Sequence, residues 1–395
     1  MKRLALALVF GVACVAGVPV AFGQEPPFKG FFTTLPPKLA PIDSAAVRFN
    51  AILSPAPLPI FNFSLTAYNA NTYSGSILGR SPLLRGKTTT TLPTQLIPLK
   101  ITINDAAHGT SITYDATAPD VCVAGNPTTV QIIANSPVFQ NNPWTMNGVS
   151  IGNTQYIDAF QRAQFWSNVQ GTPYHLILQA SQLTTRSLTF SGTNIPVKCG
   201  GHATFIGIIH IGAIDSAIQN LIVNVLSPTV NVGTFPVFLT KEVFFNTPQG
   251  CCALGYHSNI LVNGNLQIYS PFGIDTTGVT GLPDTIVLAH EMAEAVNDPT
   301  TGNPVPPWGQ IGQTFNPSPP PASCQDNLEV GDPLTPGGPP PGSNTFLVNG
   351  YHLQEMAYYS WFFGNTSLGV GAGGIYSNNG TFTGFAKPCP PGGTN

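Results

Sequence analysis

One apolar segment, from Asp284 to Pro299, constrains the fold more than any other part of the chain. Its hydrophobic residues fall on all sides of a helical projection, which predicts a helix that is buried nearly all round. Asp284 has the residue type of an N-cap, and Pro299 disfavours helical geometry at Asp298, so the helix is expected to end there. The remaining segments must then form a scaffold that encloses this helix.

The composition indicates a globular, turn-rich protein with few charges. Of 395 residues, 42% are hydrophobic and only 8% are charged, whereas charged residues usually make up about 25%. The 41 glycines and 39 prolines favour turns and short strands over a helical bundle. The formal net charge of -3 provides no basic patch, so we expect no nucleic-acid partner.

The segment 1–23 has the organisation of a signal peptide. A basic pair is followed by an apolar run (4–20) and a small-x-small cleavage site (21–23). We therefore expect a secreted protein of the extracellular space, periplasm or cell wall, with no membrane association after cleavage. Acylation of Cys14 is the weaker alternative, because the leucine usual three residues before a lipoprotein cysteine is absent.

Six cysteines remain after signal cleavage, which predicts three disulfides in an exported chain. They allow several pairings, and we expect the adjacent Cys251 and Cys252 to have separate partners, because joining neighbours needs a strained turn. No CxxC pair supports a cysteine zinc site. The six are Cys122, Cys199, Cys251, Cys252, Cys324 and Cys389.

The patterns predict an α+β fold in one domain, 46–395, after a proline-rich extended segment, 24–45. The part 46–135 is β-rich, with alternating strands at 61–68 and 88–103, and the part 136–395 carries the apolar helix. Further predictions are a helix capped by Asn153 or Thr154 and running to Trp166, strands at 174–178, 203–211 (buried on both faces) and 237–245, a helix from Asp215 to Leu226, and a last helix from Tyr351 to Phe363.

The apolar helix also carries His290, Glu291 and Glu294, one residue away from the HExxH motif of zinc hydrolases. Helical spacing puts His290 and Glu294 on one face, where both can bind a metal ion, and Glu291 beside that position. In HExxH enzymes the residue at this place takes a proton from metal-bound water. One imidazole with carboxylates favours zinc, and calcium or manganese are alternatives.

The scarcity of charge strengthens this interpretation. A buried helix has no solubility reason to carry two glutamates and a histidine, and buried charges need a partner or a metal. The structural alternative is a core histidine with glutamates paired to Lys or Arg, of which the chain has only 14.

A third ligand is expected in the segment from Leu328 to Pro333, where Glu329 and Asp332 are both candidates. Asp298 is the alternative, although it also suits a turn before Pro299. The long proline-rich loop 300–343 around Trp308 is expected to frame a cleft.

His257 is a further candidate for the catalytic set. Either Tyr256 or His257 can donate a hydrogen bond to a tetrahedral intermediate, although a structural loop fixed by Cys251 or Cys252 explains the segment equally well. The residues His175, His202 and His210 lie in or beside apolar strands and are expected in the core.

Three segments resemble a group of uncharacterised secreted proteins of soil bacteria and fungi. They are His290-Glu-Met-Ala-Glu-Ala-Val-Asn-Asp-Pro, Asn303-Pro-Val-Pro-Pro-Trp-Gly and Cys324-Gln-Asp-Asn-Leu-Glu-Val-Gly-Asp-Pro-Leu. More distantly they are similar to the plant exordium (phosphate-induced) family. The resemblance implies a zincin-like fold, matches Glu329 and Asp332 to acids of the plant motif, and aligns Asp298 with an asparagine. Cys324 departs from it, since the plant cysteine follows the acidic pair.

The sequence therefore predicts a zincin-like α+β metallohydrolase that acts on peptides or proteins. His290, Glu294 and either Glu329 or Asp332 hold the metal, and Glu291 activates water. The rival prediction is a non-catalytic secreted or wall-associated protein whose metal is structural or absent. A metal-dependent glycan hydrolase is a third possibility, for which no aromatic cluster is evident.

Overall fold

Strands make up most of the regular structure, as the turn-rich composition predicts. The computed structural model describes residues 55–84, 88–248, 250–308, 325–334, 344–371 and 374–385. The predicted signal peptide, the proline-rich segment, Cys324 and Cys389 lie outside these residues. The described part forms 19 strands and six α-helices, so the α+β class is confirmed.

The strands are β1 (Ile60–Thr66), β2 (Thr72–Leu78), β3 (Thr90–Asp105), β4 (Thr110–Asp115), β5 (Asn142–Met146), β6 (Val149–Thr154), β7 (Leu176–Gln182), β8 (Arg186–Ser191), β9 (Thr193–Cys199), β10 (His202–His210), β11 (Phe235–Lys241), β12 (Val243–Thr247), β13 (Gly250–Ala253), β14 (Ser258–Val262), β15 (Asn265–Ile274), β16 (Pro304–Trp308), β17 (Gln325–Asn327), β18 (Thr345–Val348) and β19 (Tyr351–Gln354). The helices are α1 (Thr129–Ala134), α2 (Tyr156–Gln164), α3 (Trp166–Val169), α4 (Ile211–Asn220), α5 (Ile286–Asn297) and α6 (Tyr359–Phe363). A π-helical turn at Leu221–Val225 extends α4.

The sixteen-residue strand β3 organises the larger, seven-stranded sheet. Its first half pairs in parallel with β7 and β11, and its second half pairs with β8 and, antiparallel, with β4. Buried and exposed residues alternate near both of its ends, whereas its centre is buried on both faces. This pattern follows from a strand that is covered on one side at its ends and on both sides in the middle.

A second sheet of four strands runs in the order β13-β12-β10-β9. The sequence 237–245 that predicts one strand is divided between the two sheets, with β11 in the larger and β12 in the smaller. Glu242 separates them with a φ of 52°, a left-handed conformation that is uncommon for a residue with a side chain. The predicted single strand is therefore wrong, because the chain turns at a residue whose type gives no sign of it.

Helix boundaries differ from the predictions at their caps. Thr154 belongs to β6, and Gln155 is the N-cap of α2. α4 begins at Ile211, and its N-cap is His210, whose ring accepts a hydrogen bond from the backbone of Gly212. Asp215, the predicted cap, is instead buried inside the helix.

The predicted helix from Tyr351 to Phe363 is only partly correct. Its first four residues form β19, which pairs with β18, and the helix α6 covers the last five residues before Gly364. Gly364 adopts a left-handed φ of 61°, which is the usual helix-ending conformation for glycine.

Burial corrects three further expectations. β10 is buried at only three of its nine residues (Ile206, Gly207 and Ile209), and His202 and His210 at its ends are exposed. His175 is half-buried and contacts Asp158, so none of the three histidines is a core residue.

No helix among the described residues has the length and apolar character that a membrane crossing requires.

Two disulfides lie among the described residues. Cys122 is joined to Cys199, which agrees with the prediction of an exported chain, and Cys251 is joined to Cys252. The expectation of separate partners for the adjacent cysteines is therefore wrong. Because they bond to each other, these two residues do not fix the neighbouring loop to another element.

Removing Cys122–Cys199 with the double substitution to alanine should lower the free energy of unfolding by about 2–5 kcal/mol, because the bond closes a long loop in the unfolded chain. Its cysteines are 77 residues apart. The matched double substitution of Cys251 and Cys252, which are one residue apart, should cost less. Urea unfolding of both variants measures the difference, and an equal loss would contradict the loop-entropy argument.

Candidate metal centre

Helix α5 lies in the interior and all twelve of its residues are buried, as the sequence predicts. It packs against β15, β19, β2 and α2. The spacing of four residues places His290 Nε2 2.9 Å from Glu294 Oε2. The helix therefore presents an imidazole and a carboxylate to the same point in the core.

Two loops bring the other predicted site residues to this helix. One precedes β14 and carries His257, and the other follows β17 and carries Glu329 and Asp332. All six side chains are buried, and Asp332 is the most exposed at 8%. The cluster consists of His257, His290, Glu291, Glu294, Glu329 and Asp332.

His290 is held by a hydrogen-bond chain behind its ring. The amide Nε2 of Gln354 donates to the carbonyl of Gly331 (2.6 Å), so the amide oxygen faces His290 Nδ1 at 3.0 Å. Nδ1 therefore carries the hydrogen, and Nε2 faces Glu294 and lies 3.5 Å from Asp332 Oδ1. Such outer contacts fix the tautomer and orientation of metal-binding histidines.

Glu294 is oriented by backbone amides. Its Oε1 accepts hydrogen bonds from the N–H groups of Gly331 and Asp332, at 3.1 and 3.2 Å. Its Oε2 is then directed between the two imidazoles, at 2.9 Å from His290 Nε2 and 3.8 Å from His257 Nδ1. This oxygen is the point at which the two sides of the cluster meet.

The other side of the cluster surrounds His257. Its Nδ1 lies 3.3 Å from Glu291 Oε2, and its Nε2 lies 3.7 Å from Glu329 Oε2. Glu329 Oε1 accepts a hydrogen bond from Asn327, whereas Glu329 Oε2 and Glu291 Oε1 are buried without a hydrogen-bond partner in the described part of the chain. Buried carboxylate oxygens without donors are costly, and a cation would satisfy them.

No lysine or arginine of the described residues forms an ion pair with the cluster; the lysine pairs there are with Asp115 and Asp120. Burial, reinforced by neighbouring carboxylates, raises the pKa of Glu291 and of Glu329 well above the usual value. Burial also lowers the pKa of His257 to about 4, so its ring is neutral. Among the described residues, the ion pairs thus provide no lysine or arginine to balance the carboxylates of the cluster.

His290 and Glu294 shift in the opposite sense. Burial alone would lower the pKa of His290, but Glu294 and Asp332 beside it raise that pKa. Burial alone would raise the pKa of Glu294, but His290 and His257 hold it below its usual value. Glu294 thus keeps its negative charge in the core, as a group that attracts a cation must, and an ion bound at His290 Nε2 would displace the proton there.

The atoms form two possible ligand sets, each with its members within 4.8 Å of one another. One set is His290, Glu294 and Asp332, and the other is His257, Glu291 and Glu294. Of the two candidates for a third ligand beside His290 and Glu294, Asp332 lies in their set. Glu329 lies against the far nitrogen of His257.

Asp298 has the structural role that its position before Pro299 indicates. Its carboxylate accepts hydrogen bonds from the backbone N–H groups of Gly302 and Asn303 and from the Thr300 hydroxyl. Burial raises its pKa to about 6. It belongs to neither ligand set.

One other expectation is wrong. The Tyr256 hydroxyl donates to Asp215 at 3.3 Å, away from the cluster, so Tyr256 does not provide a donor there. Trp308 is fully buried in β16 and packs edge-on against Trp361 and Phe362. The loop residues 309–324 and 335–343 lie outside the described part, so the cleft framed by this loop stays a prediction.

Sequence reasoning did not identify Gln354 or Gly331. Gln354 lies 64 residues from His290 and has no motif around it. Gly331 stands between the two acids, and a Cβ there would lie 2.4 Å from His290 Nδ1. A glycine beside two candidate ligands was the available indication that the backbone comes close to the site.

Substituting Gly331→Ala should destabilise the protein by about 1–3 kcal/mol, because the added methyl overlaps the His290 ring. Gly302→Ala is a matched control, since its nearest neighbour would be Thr300 O at 3.9 Å. Urea unfolding compares the two variants. Equal stability of Gly331→Ala and the wild type would contradict the close approach.

Comparison with known protein families finds no matching family model, and comparisons with curated proteins and with solved structures find no significant match. The resemblance to the secreted bacterial and fungal group therefore stays a prediction. The function has to be argued from the geometry of the cluster.

Proposed function

We propose that this protein is a secreted metal-dependent hydrolase of peptides or proteins with a zincin-like active-site helix. The observation that carries the proposal is the set His290, Glu294 and Asp332, whose ligand atoms lie within 4.8 Å of one another and which are buried together with Glu291. Three ligands of this kind leave a position open for water, which is the arrangement of catalytic rather than structural zinc sites.

Each residue has a defined role in the proposal. His290 Nε2, Glu294 Oε2 and Asp332 Oδ1 hold the ion, and an ion bound there would polarise a carbonyl and lower the pKa of a bound water. Glu291 follows His290 on the helix, and its Oε1 without a donor is free to accept the proton of that water. His257 is neutral and buried beside Glu291, where a ring N–H can donate to an oxyanion.

The donor set defines the range of metals. One imidazole with carboxylates is richer in oxygen than common zinc sites, so zinc is proposed and manganese or calcium are the alternatives. The disulfide Cys122–Cys199 supports folding in an oxidising compartment, in agreement with the predicted signal peptide. Extracellular action on polypeptides is the corresponding proposal for substrate and location.

The burial of the cluster favours a second candidate, a non-catalytic secreted protein with a structural metal. Even Asp332 is only 8% exposed, and a substrate needs access to the ion. The two candidates differ in whether water occupies the open position and exchanges. Activity against a peptide library decides between them.

Glu291→Gln should reduce peptide hydrolysis by about 10²–10⁴-fold, because the amide cannot accept the proton from water. The ion held by His290, Glu294 and Asp332 should remain, as elemental analysis would show. Glu242→Gln is the control, since it alters a buried glutamate at another place and should leave activity unchanged. Full activity of Glu291→Gln would refute the role of Glu291, and an inactive wild type would refute the hydrolase.

Removing metal with a chelator should lower the melting temperature, because the buried carboxylates then repel one another without a cation. Adding Zn²⁺ back should restore it. Differential scanning calorimetry of the treated and reloaded protein measures the change. An identical melting temperature in both states would show that no ion occupies the cluster.

A further inference from the structure

Glu294 belongs to both ligand sets, so the cluster has ligands for more than one ion. Both sets contain a histidine and a carboxylate of their own, and Glu294 alone is common to them. Two ligands of one zinc ion, each at about 2.0–2.2 Å from it, lie no more than about 4.4 Å apart. Even when ligand atoms up to 4.8 Å apart are accepted, the described residues form two separate sets and not one larger set.

Orientation divides the cluster in the same way. His290 turns Nε2 towards Asp332 and Glu294, and His257 turns Nδ1 towards Glu291 and Glu294. Since Glu294 Oε1 is occupied by two backbone N–H groups, Oε2 is the oxygen that faces both imidazoles. A carboxylate oxygen between two sets of ligands is placed to bridge two ions.

Each imidazole also faces a polar side chain on its opposite nitrogen. Gln354 Oε1 accepts a hydrogen bond from His290 Nδ1 at 3.0 Å, whereas Glu329 Oε2 lies 3.7 Å from His257 Nε2, beyond hydrogen-bond distance. Glu329 is itself held by Asn327 at 2.7 Å. An amide in this place orients a metal-binding histidine, which is the role of Gln354, and Glu329 lies beside His257 outside both ligand sets.

The number of buried carboxylates suits more than one divalent cation. The cluster has four carboxylates and two histidines, and nearly all of it is removed from solvent. With all four carboxylates ionised, one divalent ion would leave two negative charges in the interior, whereas two ions would neutralise them. Glu291 supports the second position independently, since its carboxylate is fully buried, has one oxygen without a hydrogen-bond partner among the described residues and belongs to the set that the first ion does not use.

We propose that the centre binds two divalent cations, one held by His290, Asp332 and Glu294 and the other by His257, Glu291 and Glu294. The inference rests on the proposed metal-dependent function, adds a role for Glu291 and makes His257 a metal ligand in place of an oxyanion donor. Its Oε2 binds the second ion, and its Oε1 accepts the proton from water. Paired ions about 3.5–4 Å apart are suited to stabilise both the attacking and the leaving group of a hydrolysis.

Metal stoichiometry tests the proposal. The purified full chain, loaded with Zn²⁺ and freed of excess ion by gel filtration, should contain two equivalents by elemental analysis. His257→Ala should retain one. His175→Ala is the control, because it removes another histidine that contacts a buried carboxylate, and it should retain two.

A second measurement needs no variant. Protein loaded with Mn²⁺ should give the electron paramagnetic resonance signal of an exchange-coupled pair, because a shared carboxylate holds the two ions close together. One equivalent of Zn²⁺, with an isolated Mn²⁺ signal, would overturn the second ion and leave the hydrolase standing. No bound metal would overturn both.

Discussion

The structure depends on carboxylates that are gathered in the protein interior. Helix α5 places Glu291 and Glu294 in the core, and the loop after β17 adds Glu329 and Asp332 to the same region. Carboxylates in such a place must be protonated or bind a cation, because desolvation of an unpaired ion costs several kcal/mol. The raised pKa values of Glu291 and Glu329 express this conflict. Surrounding amides orient the ligand atoms: Gly331 N–H holds Glu294, Asn327 holds Glu329, and Gln354 holds the His290 ring.

Close backbone approach makes this arrangement possible. Gly331 and Gly255 are the positions where the two loops meet α5, and a Cβ at either would lie within 2.6 Å of a side chain on the helix. Packing of an apolar helix against glycine lets polar groups of the loops reach its ionisable residues. The same feature explains why the helix is buried all round and still carries chemistry on one side.

The helical periodicity and the small number of charged residues account for the features that could be predicted. The 3.6-residue period predicts α5 and places His290 next to Glu294, and in a chain with few charges the acids Glu329 and Asp332 stand out as candidate ligands. The sequence could not predict that Asp332, and not Glu329, lies beside His290 and Glu294, because this depends on how the loop folds over His290. Contacts such as Gln354 to His290 are equally inaccessible, since they join residues far apart in the chain. The turn at Glu242 and the strand β19 arise from tertiary pairing that overrides local propensity.

The buried carboxylates also link metal binding to the stability of the fold. The stability of a domain is about 5–15 kcal/mol, which is comparable to the cost of burying a few unpaired carboxylates. The folded state of this protein is therefore expected to require cations, and binding and folding become a single equilibrium. The predicted signal peptide would bring the chain to an oxidising compartment, where the Cys122–Cys199 disulfide and a bound cation would stabilise the same folded state. The proposed metal centre thus doubles as a folding element, whichever reaction it supports.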